Sequence, residues 1–347
     1  MFLYYEDGKI RWNKDHLSDG VLASPAGHSN TDWDNYGLRS KYDLTLKSLT
    51  LTAAFDWWSE GGKTWNVRAA DDRRVWGYDG RFNFVSPYLG ARYDFALHND
   101  WTLTPAAGLR YYCSSDFDNE AAANLALTLA HEEIAFFTSY ARGVHYPGVY
   151  VRGVSPLNWP TLTAETLDSL EAGFRYELNE VVALHSSLFR MKVANRLDTA
   201  PGGFLNSGAM EAYGLETALH FYPRRDLTIF AGGAYTYRKT RPVSRLPEVT
   251  LSAGSSWQIN KHLRWEIDAE YVSTQYGYGM RTVNPPLEKI DSFITVNTRL
   301  SLDLRALSKL QGEIYVAIDN LTGQHYEYFP GYPLPGTMWY AGLKLKF

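Results

Sequence analysis

Apolar and polar residues alternate one by one along much of this chain, most cleanly near its end. In LRWEIDAEY, Leu263, Trp265, Ile267, Ala269 and Tyr271 interleave with Arg264, Glu266, Asp268 and Glu270. In FITVNTRLSLDLR, Ile294, Val296, Leu300, Leu302 and Leu304 interleave with Asn297, Arg299, Ser301, Asp303 and Arg305. The last ten residues, MWYAGLKLKF, set Trp339, Ala341, Leu343, Leu345 and Phe347 against Tyr340, Gly342, Lys344 and Lys346. A period of two marks a strand with one apolar and one wet face. Such segments run for about ten residues here, the length that crosses a bilayer at a tilt. The pattern predicts sixteen strands, near 2–12, 36–47, 49–59, 84–97, 101–113, 122–130, 134–142, 167–178, 181–194, 213–222, 227–239, 250–259, 263–275, 293–305, 312–321 and 339–347.

The connections sharpen this. Seven are short, around Ser48, His98, His131, Asn179, Pro223, Asn260 and Ala306. Eight are mostly long: 13–35, 60–83, 114–121, 143–166, 195–212, 240–249, 276–292 and 322–338. Short and long alternate throughout. In an up-and-down sheet, alternate connections lie at opposite ends, so one end is trimmed and the other elaborated. That asymmetry belongs to outer-membrane barrels, with short periplasmic turns and long extracellular loops. A soluble propeller would repeat every 40–50 residues or so, and no such repeat occurs. A soluble sandwich has no reason to alternate its loop lengths. The predicted fold class is all-β, a transmembrane antiparallel up-and-down β-barrel of about sixteen strands (roughly 14–18). It forms one barrel domain over 1–347.

Composition agrees. Aromatics make up 15% of the residues, with 25 Tyr, 16 Phe and 11 Trp. The net charge of −4 gives no basic stripe for nucleic acid. A single cysteine, Cys113, rules out an internal disulfide framework. No apolar run reaches the length of a membrane helix, which says nothing against strands that present only alternate residues to lipid. The start, MFLYYEDGKIRW, has no basic n-region and no sustained apolar core, so it does not read as a signal peptide.

The ending, AIDNLTGQHYEYFPGYPLPGTMWYAGLKLKF, resembles that of TonB-dependent outer-membrane receptors, in Asn320, Leu321, Tyr326, Gly331, Tyr332, Pro333, Pro335, Gly336 and Phe347. Thr337 stands where that family usually has Arg. Gly214, Glu216 and Pro223 look like the family's Gly-x-Glu strand and Pro turn. Arg142, Pro147, Glu165, Glu171 and Gly173 look like its mid-barrel loop and return strand. The similarity is good over 134–347 and weaker, but in register, from 36.

The resemblance implies a receptor and transporter in the outer membrane of a Gram-negative bacterium. Its ligand would be a scarce solute of the iron-siderophore, haem or cobalamin class. It also implies a terminal Phe347 read by the barrel assembly machinery as an assembly signal. Family members carry an N-terminal plug, a motif that engages TonB, and a 22-strand barrel. This sequence shows no plug and room for about sixteen strands, so it is expected to be the C-terminal portion of such a receptor or a reduced relative. The TonB system is then a partner only if a plug is supplied. A passive porin-like channel is the alternative reading, and a rim-active barrel hydrolase the third.

Ligand-binding candidates are the aromatic, histidine and arginine residues of the long loops: His145, Tyr146, Tyr150, Trp159, Tyr276, Tyr278, Arg281, His325, Tyr326 and Tyr328. The aromatics offer stacking faces, Arg281 can pair with an anion, and His145 or His325 can ligate haem iron or cobalt. Girdle packing at a membrane interface is their bland alternative. No catalytic group, metal site or cofactor is predicted. HEEIA at 131 lacks a zincin's second His, and His145, Asp198 and Asp291 are the nearest approach to a rim hydrolase. Asp116, Asp118 and Glu120 in DFDNE have calcium-like spacing but no EF-hand Gly or distal Glu. The charges at Arg264, Glu266, Asp268, Glu270, Arg299, Asp303 and Arg305 read as a cross-strand ladder or as a wall for a plug.

Overall fold

The computed structural model describes the chain except residues 14–15, 19–20, 25–27, 69, 156–157, 201–202, 240–245, 279–286, 308–309 and 347. One 17-stranded sheet dominates. Its strands are Phe2–Asn13, His28–Leu46, Leu49–Val67, Arg74–Tyr93, Phe95–Ala96, Thr102–Ser114, Glu120–His131, Ile134–His145, Glu165–Leu178, Val182–Ala194, Met210–Arg224, Leu227–Arg238, Val249–Gln258, Leu263–Val272, Phe293–Asp303, Gly312–Asp319 and Met338–Leu345. Phe95–Ala96 prolongs Arg74–Tyr93 beyond Asp94, and both pair with Thr102–Ser114. Counting those two as one leaves sixteen staves, each at a predicted position. Neighbours pair antiparallel in sequence order, as in Leu227–Arg238 with Val249–Gln258 and Leu263–Val272 with Phe293–Asp303.

Short turns have a local cause. Asn99 and Asp100 both take left-handed backbone (φ 53° and 58°), as do Asn179 and Glu180 (φ 45° and 59°). At 179–180, where the Val181 N–H donates to the Leu178 carbonyl at 2.7 Å, the two left-handed residues make the two-residue turn whose twist matches antiparallel strands, and Asn and Asp tolerate that conformation best.

The chain divides into two compact units. The first comprises Met1–His131, Phe137–Glu171 and Arg190–Glu211; the second comprises Glu132–Phe136, Ala172–Phe189 and Ala212–Phe347.

In the first unit, one face of the sheet carries Leu51, Phe55, Leu89, Leu109 and Leu125, all exposed, with Leu89 at 70%. A soluble protein would bury these side chains; on a barrel they meet lipid. The opposite face is polar. Arg110 binds Asp56 at 2.7 Å and the Ser86 hydroxyl at 3.0 Å, and lies 5.4 Å over the Tyr88 ring.

The structure departs from the sequence expectation in where these staves end. His28–Leu46 and Leu49–Val67 have 19 residues each and Arg74–Tyr93 has 20. About half of that length crosses a membrane. Segments expected as loops, in 13–35 and 60–83, are therefore partly strand. Beyond the apolar band, the same outward face turns polar. Lys63 pairs with Asp79 at 3.0 Å, Arg81 pairs with Asp34, and the Ser59 hydroxyl donates to Asn83 at 2.8 Å. Other long connections hold small elements: the helix Val149–Val154, and the hairpins Leu197–Ala200 with Gly203–Asn206 and Gln275–Tyr278 with Leu287–Ile290.

In the second unit, Leu251, Trp265, Ile294, Leu300, Ile314, Val316, Trp339 and Leu343 make the exposed apolar face. The predicted charge ladder forms on the other. Arg299 reaches Glu313 at 2.5 Å and Glu266 at 3.9 Å, and its guanidinium lies 3.8 Å over the Tyr315 ring. Arg264 stands 3.6 Å from both Glu266 and Glu313, and the Asn297 amide donates to Asp268 at 2.8 Å. Gly342 lies opposite Tyr315 because a Cβ there would meet the tyrosine ring at 2.4 Å. Asp303 and Arg305 pair with each other at 2.5 Å.

Candidate functional site

In the first unit, the connection after His145 turns back onto the polar face of the sheet. Its helix Val149–Val154 packs against Leu49–Val67 and Arg74–Tyr93. The approach is close because glycine lines it. A Cβ on Gly62 would stand 2.9 Å from Val149, and one on Gly77 would stand 2.5 Å from the Gly153 carbonyl oxygen. Glu60 accepts the Val149 backbone N–H at 2.9 Å. Phe82, Phe84 and Val149 are buried, with Trp58, Tyr78, Phe117, Tyr146 and Trp159 packed around them. The hairpin Leu197–Asn206 secures the far end: the Ser155 hydroxyl accepts the Phe204 N–H at 2.8 Å, and Asn158 donates to the Phe204 carbonyl at 3.0 Å.

Four predicted ligand residues fall here. Tyr146 and Trp159 are packing residues of the aromatic cluster. Tyr146 lies 5.1 Å from Phe84 and 5.4 Å from Phe117, and its hydroxyl donates to the Asp118 carbonyl at 3.1 Å. Burial pushes its hydroxyl pKa up to about 12, with the Glu120 charge adding to the effect. Trp159 stacks on Phe82 at 5.4 Å and carries the Arg152 guanidinium at 4.5 Å. His145 and Tyr150 remain accessible. His145 Nδ1 is 3.2 Å from Glu165, and Tyr150 meets Phe204 edge-on at 6.2 Å.

The second unit holds Tyr276, Tyr278, His325, Tyr326 and Tyr328. Tyr276 and Tyr278 are exposed on the hairpin Gln275–Tyr278 with Leu287–Ile290, at 38% and 54%. Tyr326 and Tyr328 flank buried Phe293 at 4.6 and 5.3 Å and meet each other at 6.0 Å. Burial raises the pKa of Tyr328, helped by the Glu270 charge. His325 is exposed. Asn320 organises this loop. It is buried with φ 50°; its Nδ2 donates to the Gln324 carbonyl at 2.8 Å and its Oδ1 accepts the Gln324 N–H at 3.0 Å. Arg281 and Phe347 lie outside the described residues.

The hydrolase candidates have separate partners: Glu165 for His145, Arg196 for Asp198, and Lys289 for Asp291 at 2.6 Å. Among the described residues, no group of three His, Cys, Asp or Glu side chains is arranged to hold a metal ion. Sequence reasoning missed Glu60, Gly62, Gly77 and Arg152. The signal for the two glycines was available, since glycine inside a strand often marks close approach of another backbone.

One test follows from this anchoring. Glu60→Ala removes the acceptor at the helix start, worth about 1.5 kcal/mol for a charge-assisted bond. Local opening of 146–164 should rise about tenfold, read as faster tryptic cleavage after Arg152 with the remaining fold intact. An unchanged cleavage rate would show that the aromatic cluster alone holds the segment.

A family profile described as TonB dependent receptor-like, beta-barrel matches residues 4–321. Among solved structures, the siderophore receptor PirA from Acinetobacter baumannii superposes with a TM-score of 0.75 at 14% identity, covering 99% of this chain and 59% of that one. The copper transporter OprC gives 0.76 at 11% identity, covering 99% and 62%. The FrpB iron transporter from Neisseria meningitidis (F3-3 variant) gives 0.70 at 15%, covering 92% and 56%. At these identities the likeness shows the fold, and the chain spans under two-thirds of each receptor. No curated protein matches the chain. Two independent lines, the profile across nearly every stave and the superposition on the barrel portions of receptors, thus meet the alternating pattern of the strands: the chain belongs to the TonB-dependent receptor-like β-barrel family of Gram-negative outer membranes.

Proposed function

We propose that residues 1–347 act as a single barrel domain of an outer-membrane receptor that takes up a scarce solute, with an iron complex such as a ferric siderophore favoured over haem or cobalamin. The observation that carries this reading is the set of accessible aromatic side chains on the long connections, Tyr150, Tyr276, Tyr278 and Tyr328. Phenol rings stack on aromatic metal chelates, and an arginine such as Arg281 balances their negative charge. Similar barrels include a siderophore receptor, an iron transporter and a copper transporter, which supports metal uptake as the class. His145 and His325 are the direct metal contacts if the ligand is haem or cobalamin. Lipid surrounds the apolar face, the assembly machinery reads the last strand and Phe347, and TonB drives transport where a plug domain is supplied.

The test uses purified chain in detergent, titrated with a ferric catecholate, haemin and cobalamin, with tryptophan fluorescence as the readout. Saturable quenching by the ferric catecholate is expected. The triple change Tyr276→Ala, Tyr278→Ala, Tyr328→Ala should weaken it about tenfold or more, as lost stacking contacts of about 0.5–1.5 kcal/mol each imply. No saturable binding of any of the three, together with ion conductance through the isolated chain, would favour the porin-like channel instead.

A further inference from the structure

The second unit has a polar recess of about 450 Å³ at the short-turn end of its staves. Gln258, His262, Arg264, Ser301, Asp303, Arg305, Gln311, Glu313, Lys344 and Lys346 line it. The register explains the convergence. Gln258 faces Arg264 and Arg264 faces Ser301; one row on, Asp303 faces Glu313 and Glu313 faces Lys344. Paired residues project to the same side of a sheet. Five staves thereby turn polar tips toward one space.

The charges do not balance. Four cations, Arg264, Arg305, Lys344 and Lys346, stand against two carboxylates, Asp303 and Glu313. Both carboxylates are already engaged. Asp303 holds Arg305 at 2.5 Å, and Glu313 holds Arg299 at 2.5 Å with Arg264 at 3.6 Å. Lys344 lies directly across from Glu313, yet neither it nor Lys346 makes an ion pair among the described residues. A second observation is independent of charge: Nδ1 of His262 is buried and has no hydrogen-bond partner among the described residues. A buried polar nitrogen left unpaired costs about 1–3 kcal/mol, and with the ring proton on Nδ1 it donates to a ligand oxygen and recovers that cost. A third donor stands nearby. Ser301 is buried, and its hydroxyl oxygen accepts from Arg299 at 3.0 Å, leaving its proton for another acceptor.

We propose that this recess is an anion site that takes a phosphate group. Lys344 and Lys346 supply the charge, while His262 and Ser301 supply directed hydrogen bonds. Lysines serve phosphate as mobile point charges, and the hydroxyl and imidazole fix its orientation. The phosphate can belong to a free soluble anion or to a lipid headgroup; the chemistry at the site is the same.

The purified full chain in detergent is titrated calorimetrically with inorganic pyrophosphate at low salt, and separately with a short-chain phosphatidic acid. Saturable binding of either probe is expected, and the probe that binds names the source. The exposed pair Lys344→Gln with Lys346→Gln should weaken binding about tenfold, the size expected for two solvent-accessible ion pairs. His262→Ala should weaken it about threefold or more while leaving the salt dependence unchanged, since it removes a hydrogen bond and no fixed charge. Retained resistance to unfolding in sodium dodecyl sulfate at room temperature shows that the variants are folded. Absence of binding by wild type to both probes overturns the proposal, and so does equal binding by wild type and the lysine pair variant.

Discussion

Leu89→Arg should destabilise the chain in a bilayer by about 2–4 kcal/mol, the depth-dependent cost of arginine on the lipid face of a barrel. Leu89 is 70% exposed and pairs with Ala53 on one side and Leu109 on the other. Its row lies between those carrying Tyr111 and Tyr93, so it sits within the apolar band. The sign of the effect is what makes the test useful. In a water-soluble protein, replacing a leucine this exposed with arginine is close to neutral, because surface changes usually stay within about 0.5 kcal/mol. In a membrane barrel the same change sets a charge against hydrocarbon. Reversible urea unfolding from lipid vesicles measures the difference. Ala54→Arg, one residue from Ala53 and on the opposite polar face beside Asp56, should cost less. Equal costs at the two positions would contradict the assignment of faces.

How much of this was readable beforehand depends on contrast between faces. Leu263–Val272 and Phe293–Asp303 were legible because every apolar residue has a charged or polar neighbour, so the period is visible in hydrophobicity alone. The charge ladder followed, since Arg264, Glu266 and Arg299 share a face by parity. The outer halves of Leu49–Val67 and Arg74–Tyr93 kept the same backbone but lost the contrast. Once Lys63, Asp79 and Arg81 replace leucines on the outward face, the apolar residues that remain, Trp58, Tyr78 and Phe82, lie on the other face, so the alternation changes phase and the segment reads as loop. The segment from Tyr146 to Trp159 failed for a different reason. Its apolar residues follow neither strand nor helix spacing, because they fill a glycine-lined surface supplied by residues far away in sequence. Tyr146 and Trp159, read from the sequence as ligand candidates, have rings that pack on Phe82, Phe84 and Phe117. Tyr276 and Tyr278, on the hairpin Gln275–Tyr278 with Leu287–Ile290, are exposed.

Asn320→Ala is expected to cost about 2–3 kcal/mol and to loosen the loop that carries Tyr326 and Tyr328. The side chain holds the loop at both ends, its Nδ2 donating also to the Pro335 carbonyl at 3.4 Å. Its Nδ2 donates to the Gln324 carbonyl at 2.8 Å, and its Oδ1 accepts from the Gln324 N–H at 3.0 Å and the Thr322 hydroxyl at 3.2 Å. Its backbone joins the wall: the Asn320 N–H donates to the Asn297 side chain at 3.0 Å, and its carbonyl accepts the Thr337 hydroxyl at 2.9 Å. Net hydrogen bonds contribute about 1 kcal/mol each, and unpaired groups left behind in a buried site add to the loss. Alanine also tolerates the left-handed φ of 50° less well than asparagine does. Three variants separate these contributions. Asn320→Gly keeps the backbone freedom and loses the side-chain bonds; Asn320→Asp keeps the acceptor and loses the donor; Asn320→Ala loses both bonds and freedom. Stability should fall in the order wild type, Asp, Gly, Ala, measured by hydrogen exchange of the amides in 322–337. Ligand affinity should fall in the same order if Tyr328 contacts the ligand, because the loop holds that ring against Phe293. Faster exchange without any change in affinity would move the binding site off this loop and onto the hairpin bearing Tyr276 and Tyr278.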